Sequence, residues 1–469
     1  MDKLELAKWA SDFALKQGAS QTKVSVSNSR DVEIEVRDNK LEKLKETTQN
    51  SLSLNIYLDH KYSGHFTNDL RKESLERFIK EAVAATKYLS ADEFRELPDP
   101  KYYPKDHTKD LNLCDKSYDE LTTDKRIEIA TALEKSAVSQ SDKIISVTGG
   151  FSDSKYSSAM VLSNGFEGTN EETYYSAGAE VTVKDSDARP EDWAYQSNRF
   201  FGGLPNAEEL GKQAAERALR KVGQKKIESG KFDMLVENRV ASRLIGMLIS
   251  PMSARSLQQK SSYLENMIGK KIASDKFTMI DDPFINGAFG SRLYDGDGIA
   301  SQKRVMIEKG VLKNYYIDNY YGKKLGLEPT SSGSSNLIFE CGNRSLEEMI
   351  KSIDRGILVT SFNGGNSNGT TGDFSFGIAG MLIEKGILVH PVYEMNITGN
   401  AKDFWNQLVE MGNDVYENSS WRRPSMLFEG ILFCGFVKYN TIIKEKADFA
   451  VATFAFFNPE NSWNFLYLR

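Results

Sequence analysis

Four histidines, three cysteines and a few acidic pairs are the residues of this 469-residue chain best suited to holding a metal or attacking a carbonyl. A zinc-dependent hydrolase needs imidazoles one helical turn apart and a further ligand. His60 and His65 fall in a strand–turn region, His107 lies in a proline-bearing stretch, and His390 stands alone before Pro391. No HExxH or HExxxH exists, and each histidine reads as a bystander. Cys114, Cys341 and Cys434 are odd in number and too widely spaced for a disulfide framework or a CxxC knuckle, which fits a reducing compartment. None has a neighbour that would depress its thiol pKa, and there is no GxSxG elbow.

Other segments resemble sites only in part. The stretch from Asn363 to Asp373 (NGGNSNGTTGD) is glycine-rich but lacks the Gly-Lys-Ser/Thr of a phosphate loop. Its glycines allow close approach to a ligand or partner chain, and Asp373 is placed to accept backbone N–H bonds; a plain turn-forming connection fits equally. Asp295-Gly296-Asp297-Gly298 begins like a calcium loop without the closing glutamate, so a tight turn is expected. Asp281 and Asp282 are adjacent in a predicted strand end and therefore point to opposite faces, which argues against an acid–base pair. The sequons at Asn343, Asn396 and Asn418 carry no meaning without secretion.

The elements that hold these residues follow from apolar spacing. Leu4, Leu6, Ala7, Ala10, Phe13 and Ala14 share a helical face, and Gly18 offers a stop. Val24 and Val26, then Val32, Ile34 and Val36, then Leu52, Leu54, Ile56 and Leu58 alternate at period two, and Leu75 to Ala84 return to helical spacing. Pro98, Pro100 and Pro104 mark a linker over about 97–120. The order recurs as a helix near 124–140, strands near 144–184 forming a second sheet, and a helix near 206–222. The reading is an α+β chain: an N-terminal α/β domain over 1–228, built of two similar modules (about 1–95 and 120–225), then a mostly β domain over 229–436 and an atypical apolar-rich tail over 437–469. Short helices are expected near 238–249, 318–325, 345–352 and 401–411. Ile307-Glu308-Lys309-Gly310-Val311-Leu312 echoes Ile383-Glu384-Lys385-Gly386-Ile387-Leu388, and each copy reads as a hairpin turning at Lys-Gly.

Composition narrows the function classes. The chain is 40% hydrophobic and 27% charged, enough for an ordinary core. Its net charge of −6 and isoelectric point near 5.6 give no basic footprint for direct nucleic-acid binding. No apolar run suggests a membrane span or a secretory signal, and a cytoplasmic location is expected.

From about Val236 to Gly435 the motifs fall in an order that resembles the TldD/TldE (PmbA) family, also called modulators of DNA gyrase and grouped with metallopeptidases. They are Asp295–Gly298, Tyr320-Tyr321-Gly322-Lys323-Lys324-Leu325-Gly326-Leu327, Thr371-Gly372-Asp373-Phe374-Ser375-Phe376-Gly377-Ile378-Ala379-Gly380, Ile397-Thr398-Gly399-Asn400 and Met411-Gly412-Asn413-Asp414. The resemblance implies a choice between a TldD-like zinc subunit, with a helical HExxxH and a later cysteine, and a TldE-like subunit lacking both. Here the corresponding stretch, Val236 to Leu248, has no histidine, and Asn418-Ser419-Ser420-Trp421 stands near the expected cysteine. The resemblance therefore implies a TldE-like chain with no zinc of its own, inactive alone, paired with a zinc-bearing TldD-like paralogue or with itself, and acting on unfolded peptide without touching nucleic acid or membrane. Gly364, Gly365, Gly372, Asp373, Gly412, Asn413 and Asp414 are the candidate partner- or substrate-facing positions, with turn or core roles equally open. An independent peptidase or hydrolase, or a binding protein with no part in proteolysis, remains the alternative. Family chains usually end soon after a stretch like Leu427–Phe433, so the tail carries no assigned function.

Overall fold

A computed structural model describes residues 2–106 and 109–435; His107 and the tail over 437–469 lie outside the described residues. The first helix, α1 (Lys3–Lys16), opens on a reciprocal capping box in which the Asp2 carboxylate accepts the Glu5 N–H and Glu5 accepts that of Asp2. Strands β1 (Gln21–Arg37), β2 (Lys40–Leu58) and β3 (Lys61–Thr67) and helix α2 (Lys72–Thr86) follow. After the linker come α3 (Thr123–Val138), β4 (Ile144–Leu162), β5 (Phe166–Val183), β6 (Glu191–Asn198) and α4 (Ala207–Leu219). The β1–β2 and β2–β3 hairpins turn at Asp38-Asn39 and Asp59-His60, all four at φ between 49° and 63°, the backbone of a two-residue primed turn.

The two modules do not have separate sheets, as the sequence reading had them. Their strands form one antiparallel sheet in the order β3-β2-β1-β4-β5-β6. Pairing of Lys23–Arg37 with Thr148–Leu162 joins the halves. The reason lies in strand length: β1 keeps period two in phase along 17 residues, so the apolar positions on either side of polar Asn28 and Arg30 fall on one face, beneath the two helix pairs. Val24 and Val26 pack with α1 and α2, whereas Val32, Ile34 and Val36 pack with α3 and α4. Under α3, the Arg126 guanidinium and Asp153 form a fully buried pair at 2.5 Å.

The remaining strands are β7 (Gly230–Val236), β8 (Met279–Asp281), β9 (Arg304–Glu308), β10 (Val311–Leu312), β11 (Leu337–Phe339), β12 (Arg355–Phe362), β13 (Asn366–Ser367), β14 (Asp373–Glu384), β15 (Ile387–Asn400), β16 (Leu408–Met411), β17 (Trp421–Arg422) and β18 (Met426–Cys434). β12, β7, β18, β15 and β14 follow one another, and β14 pairs back onto β12 to close a barrel. A smaller sheet runs β10-β9-β8-β11-β17. Helix α5 (Ser242–Ile249) buries Leu244, Ile245, Met247 and Leu248 in the core that also holds Met234, Val236, Phe376, Met395 and Phe428. Helices α6 (Ala254–Gln258), α7 (Asn319–Leu325), α8 (Leu346–Ser352) and α9 (Ala401–Phe404) are short. The helix expected over 401–411 stops at Phe404, because Leu408–Met411 pairs with β18 instead. Both echoed hairpins form, with Lys309-Gly310 and Lys385-Gly386 all at positive φ.

The barrel half docks on the large sheet through the motifs of the resemblance. Lys23 Nζ donates to the Gly296 carbonyl at 2.5 Å and meets Asp297 at 3.3 Å, and the Tyr294 ring packs edge-on against Phe166. Arg95 lies between the Tyr62 and Tyr320 rings, while Asp92 accepts from the Tyr320 hydroxyl at 2.6 Å and pairs with Lys324 at 3.0 Å.

Candidate functional site

A cleft of about 600 Å³ separates the outer strand β6 from the barrel half. Its floor is the turn from β7 into α5, Glu237-Asn238-Arg239, set by Glu237 N–H donating to the Val359 carbonyl and by Val240 and Ala241 N–H groups returning to Glu237. Arg217 of α4 forks onto the Glu237 carboxylate at 2.7 and 2.8 Å. Asp192 of β6 faces Lys221 at 3.2 Å, Arg217 at 3.7 Å and Arg239 at 4.0 Å. Arg239 also lies 4.1 Å over the Trp193 ring and donates to the Trp193 carbonyl at 2.9 Å. Behind it, Arg423 donates to the Arg239 carbonyl at 2.7 Å and stacks on Tyr416. Burial lowers the pKa of both Arg239 and Arg423, the latter to about 10.

The structure brings the candidate positions to the two ends of that turn. Asp414 lines the cleft and ties the segment down: its carboxylate accepts the Ser425 N–H at 3.0 Å, the Ser425 hydroxyl at 2.6 Å and the Asn238 amide at 3.3 Å. Gly412 is buried, its N–H bonded to the Ser425 carbonyl, and the Asn413 side chain donates to the Asn343 carbonyl. At the other end, Arg243 of α5 donates to the Gly365 carbonyl at 2.5 Å and stacks on Phe376. Gly364, Gly365 and Gly372 all hold positive φ, and a Cβ on Gly365 would meet the Ser375 carbonyl at 2.0 Å. Asp373 does not gather backbone N–H groups as its position suggested. Cross-strand pairing with Asn400 turns its carboxylate to the Asn400 amide and the Thr371 hydroxyl, and Asn368 accepts the Thr370 and Thr371 N–H groups instead.

The other sequence candidates resolve locally. Asp295 closes a turn by accepting the Asp297 and Ile299 N–H groups, and burial raises its pKa. Asp281 is buried and accepts from Ser335, while Asp282, on the other face, pairs with Lys303 at 2.9 Å. His65 bonds Ser63, His390 bonds the Pro391 carbonyl, and His60 is a turn residue. Partial burial raises the thiol pKa of Cys114 and Cys341, so neither is activated toward the thiolate.

Zinc does not fit this cleft. Its lining holds no histidine or cysteine; Glu237 is held by Arg217, and Asp414 by Ser425 and Asn238. Among the described residues no three His, Cys, Asp or Glu side chains gather where they could hold a metal. Sequence reasoning had not marked Asp192, Arg217, Arg239 or Arg423. Two spaced arginines, 239 and 243, in the stretch without histidines were the available signal.

An α/β half on one long antiparallel sheet, docked to a closed barrel across a polar cleft, is the architecture of the metallopeptidase-like proteins to which comparison leads. Models of the PmbA/TldA metallopeptidase domain 1, central domain and C-terminal domain match residues 23–86, 116–222 and 229–435. The chain belongs to the PmbA/TldD family. It is 28% identical over 436 residues to the metalloprotease PmbA of Escherichia coli, covering 92% of this chain and 94% of that one. A crystal structure from Bacteroides thetaiotaomicron, named for modulation of DNA gyrase, superposes with a TM-score of 0.90 at 44% identity, covering 92% and 98% of the two chains. TldE of Thermococcus kodakarensis shares the fold, with a TM-score of 0.80 at 22% identity over 92% and 99%. Among the described residues no helix is long and apolar enough to cross a membrane.

Proposed function

We propose that this chain is the subunit without its own catalytic zinc in a cytoplasmic two-chain peptidase of the family, paired with a zinc-bearing TldD-like paralogue and acting on unfolded peptides. The observation that carries the reading is the donor set at the turn from β7 into α5: amide and guanidinium groups where a zinc site needs imidazole, with the nearby carboxylates already held. The partner's metal would polarise the scissile carbonyl and activate water, and this chain would shape the space in which peptide is held. The gyrase name of a solved relative does not require DNA contact, since an acidic protein with an isoelectric point near 5.6 lacks the electrostatic footprint.

Affinity purification of the chain from its own cell, with metal analysis of every co-eluting polypeptide, is the test. The expected result is a paralogue in about 1:1 ratio, zinc that follows the paralogue, and chelator-sensitive hydrolysis of a casein-like substrate by the complex but not by this chain alone. Stoichiometric zinc retained by the isolated chain through dialysis, and lost on substitution within Val236–Leu248, would overturn it. Chelator-resistant hydrolysis by the chain alone would instead favour an independent hydrolase. A homodimer lacking any paralogue would favour a binding protein.

A further inference from the structure

β6 is an outer strand of the six-stranded sheet and forms one wall of the cleft. Main-chain groups of successive strand residues point alternately to either side. The Glu191 carbonyl accepts Lys221 Nζ at 2.6 Å and the Trp193 carbonyl accepts Arg239 Nη2 at 2.9 Å, so the odd-numbered residues of β6 face away from β5. Tyr195 and Ser197 therefore turn their N–H and C=O groups into the cleft, and among the described residues nothing bonds them. Such groups at strand pitch are a template for an added strand.

The charge at one end of this template is uneven. Arg217, Lys221 and Arg239 share Asp192, Glu237 is taken by Arg217, and Arg423 makes no ion pair among the described residues. Three cations thus meet two carboxylates next to Trp193, with Arg423 behind Arg239. On the opposite wall the acids are Asp414, bonded to Ser425; Glu417, paired with Arg422; and Glu347, in the first turn of α8. A strand added antiparallel to β6, as every pair in this sheet is, would bring its C-terminal end to Trp193 and hence to Arg239.

We propose that the cleft holds the C-terminal segment of an extended peptide, its main chain added antiparallel to β6 at Tyr195 and Ser197 and its terminal carboxylate on Arg239. The inference rests on the peptide-processing reading and names the part of the substrate this chain would grip. It needs no metal. Recognition is through main chain and carboxylate, so it is indifferent to most side chains.

The test is fluorescence anisotropy with the purified full chain and a short, neutral, N-terminally labelled peptide, as free acid, as C-terminal amide and with an N-methylated backbone. The free acid is expected to bind saturably and the amide about tenfold more weakly, the scale of one charge-assisted contact. The N-methylated peptide is expected not to bind. Arg239→Gln should bring acid and amide to equal affinity. Ser197→Pro, which removes an outward N–H of an edge strand together with the hydroxyl's bonds to Tyr174 and Ser176, should weaken both, whereas Ser197→Ala, which removes the hydroxyl alone, should leave both unchanged. No saturable binding at about 1 mM peptide, equal affinity for acid and amide, or undiminished binding of the N-methylated peptide would overturn the assignment. A chain that fails here yet co-purifies with a zinc-bearing paralogue loses the cleft assignment alone; one that binds peptide without that paralogue loses the subunit reading alone.

Discussion

Asp414 shows how one side chain can join three segments. Its carboxylate serves the Ser425 N–H, the Ser425 hydroxyl and the Asn238 amide, so it fixes the start of β18 against the turn that opens α5. Asp414→Ala would leave these donors unpaired in a partly buried site, at a cost of about 2 kcal/mol; chemical denaturation checks it. Arg126 is a stronger case because it and Asp153 are both fully buried. Arg126→Met strands a buried carboxylate and is expected to cost about 3–5 kcal/mol, whereas an apolar replacement of both partners should cost less. A double-mutant cycle on thermal stability separates the two.

At the scale of elements, the Lys-Gly hairpins share a turn but not its surroundings. Both glycines hold φ near 75°, so alanine at either incurs the left-handed penalty of about 1–2 kcal/mol. At Gly310 the added Cβ would also stand 2.0 Å from the Ala273 carbonyl and close to that of Ser274, both backbone; at Gly386 the nearest atom is the Lys351 carbonyl at 2.7 Å. Gly310→Ala should therefore lower the melting temperature more than Gly386→Ala. The same contrast explains why similar hexapeptides serve different sheets: the first hairpin is wedged against the segment before β8, and the second ends the barrel pair β14–β15.

One of the contacts that hold the two halves together is a latch just before the linker. Asp92, hydrogen-bonded by the Tyr320 hydroxyl and paired with Lys324, has its pKa lowered to about 2. A carboxylate whose folded pKa lies below its unfolded value of about 3.9 contributes stability above that value and loses it as pH falls through the folded pKa. The docking of α7 on the linker should thus weaken between about pH 4 and pH 2, read as faster proteolysis within 97–120. Asp92→Asn should remove that component of the acid response.

Much of this was legible in the sequence because period-two and helical spacing are local properties. The strands, the paired helices, the Lys-Gly hairpins and the absence of a histidine motif all followed from residue order, as did the family resemblance. The merger of two expected sheets into one did not, since it depends on β1 and β4 pairing across more than a hundred intervening residues. Neither did the cleft: Asp192, Arg217, Glu237, Arg239 and Arg423 come from four separate stretches, and only docking sets their charges beside a free strand edge. Residue order decides which segments have a face to bury, while the pairing of distant segments decides which polar groups are left facing one another.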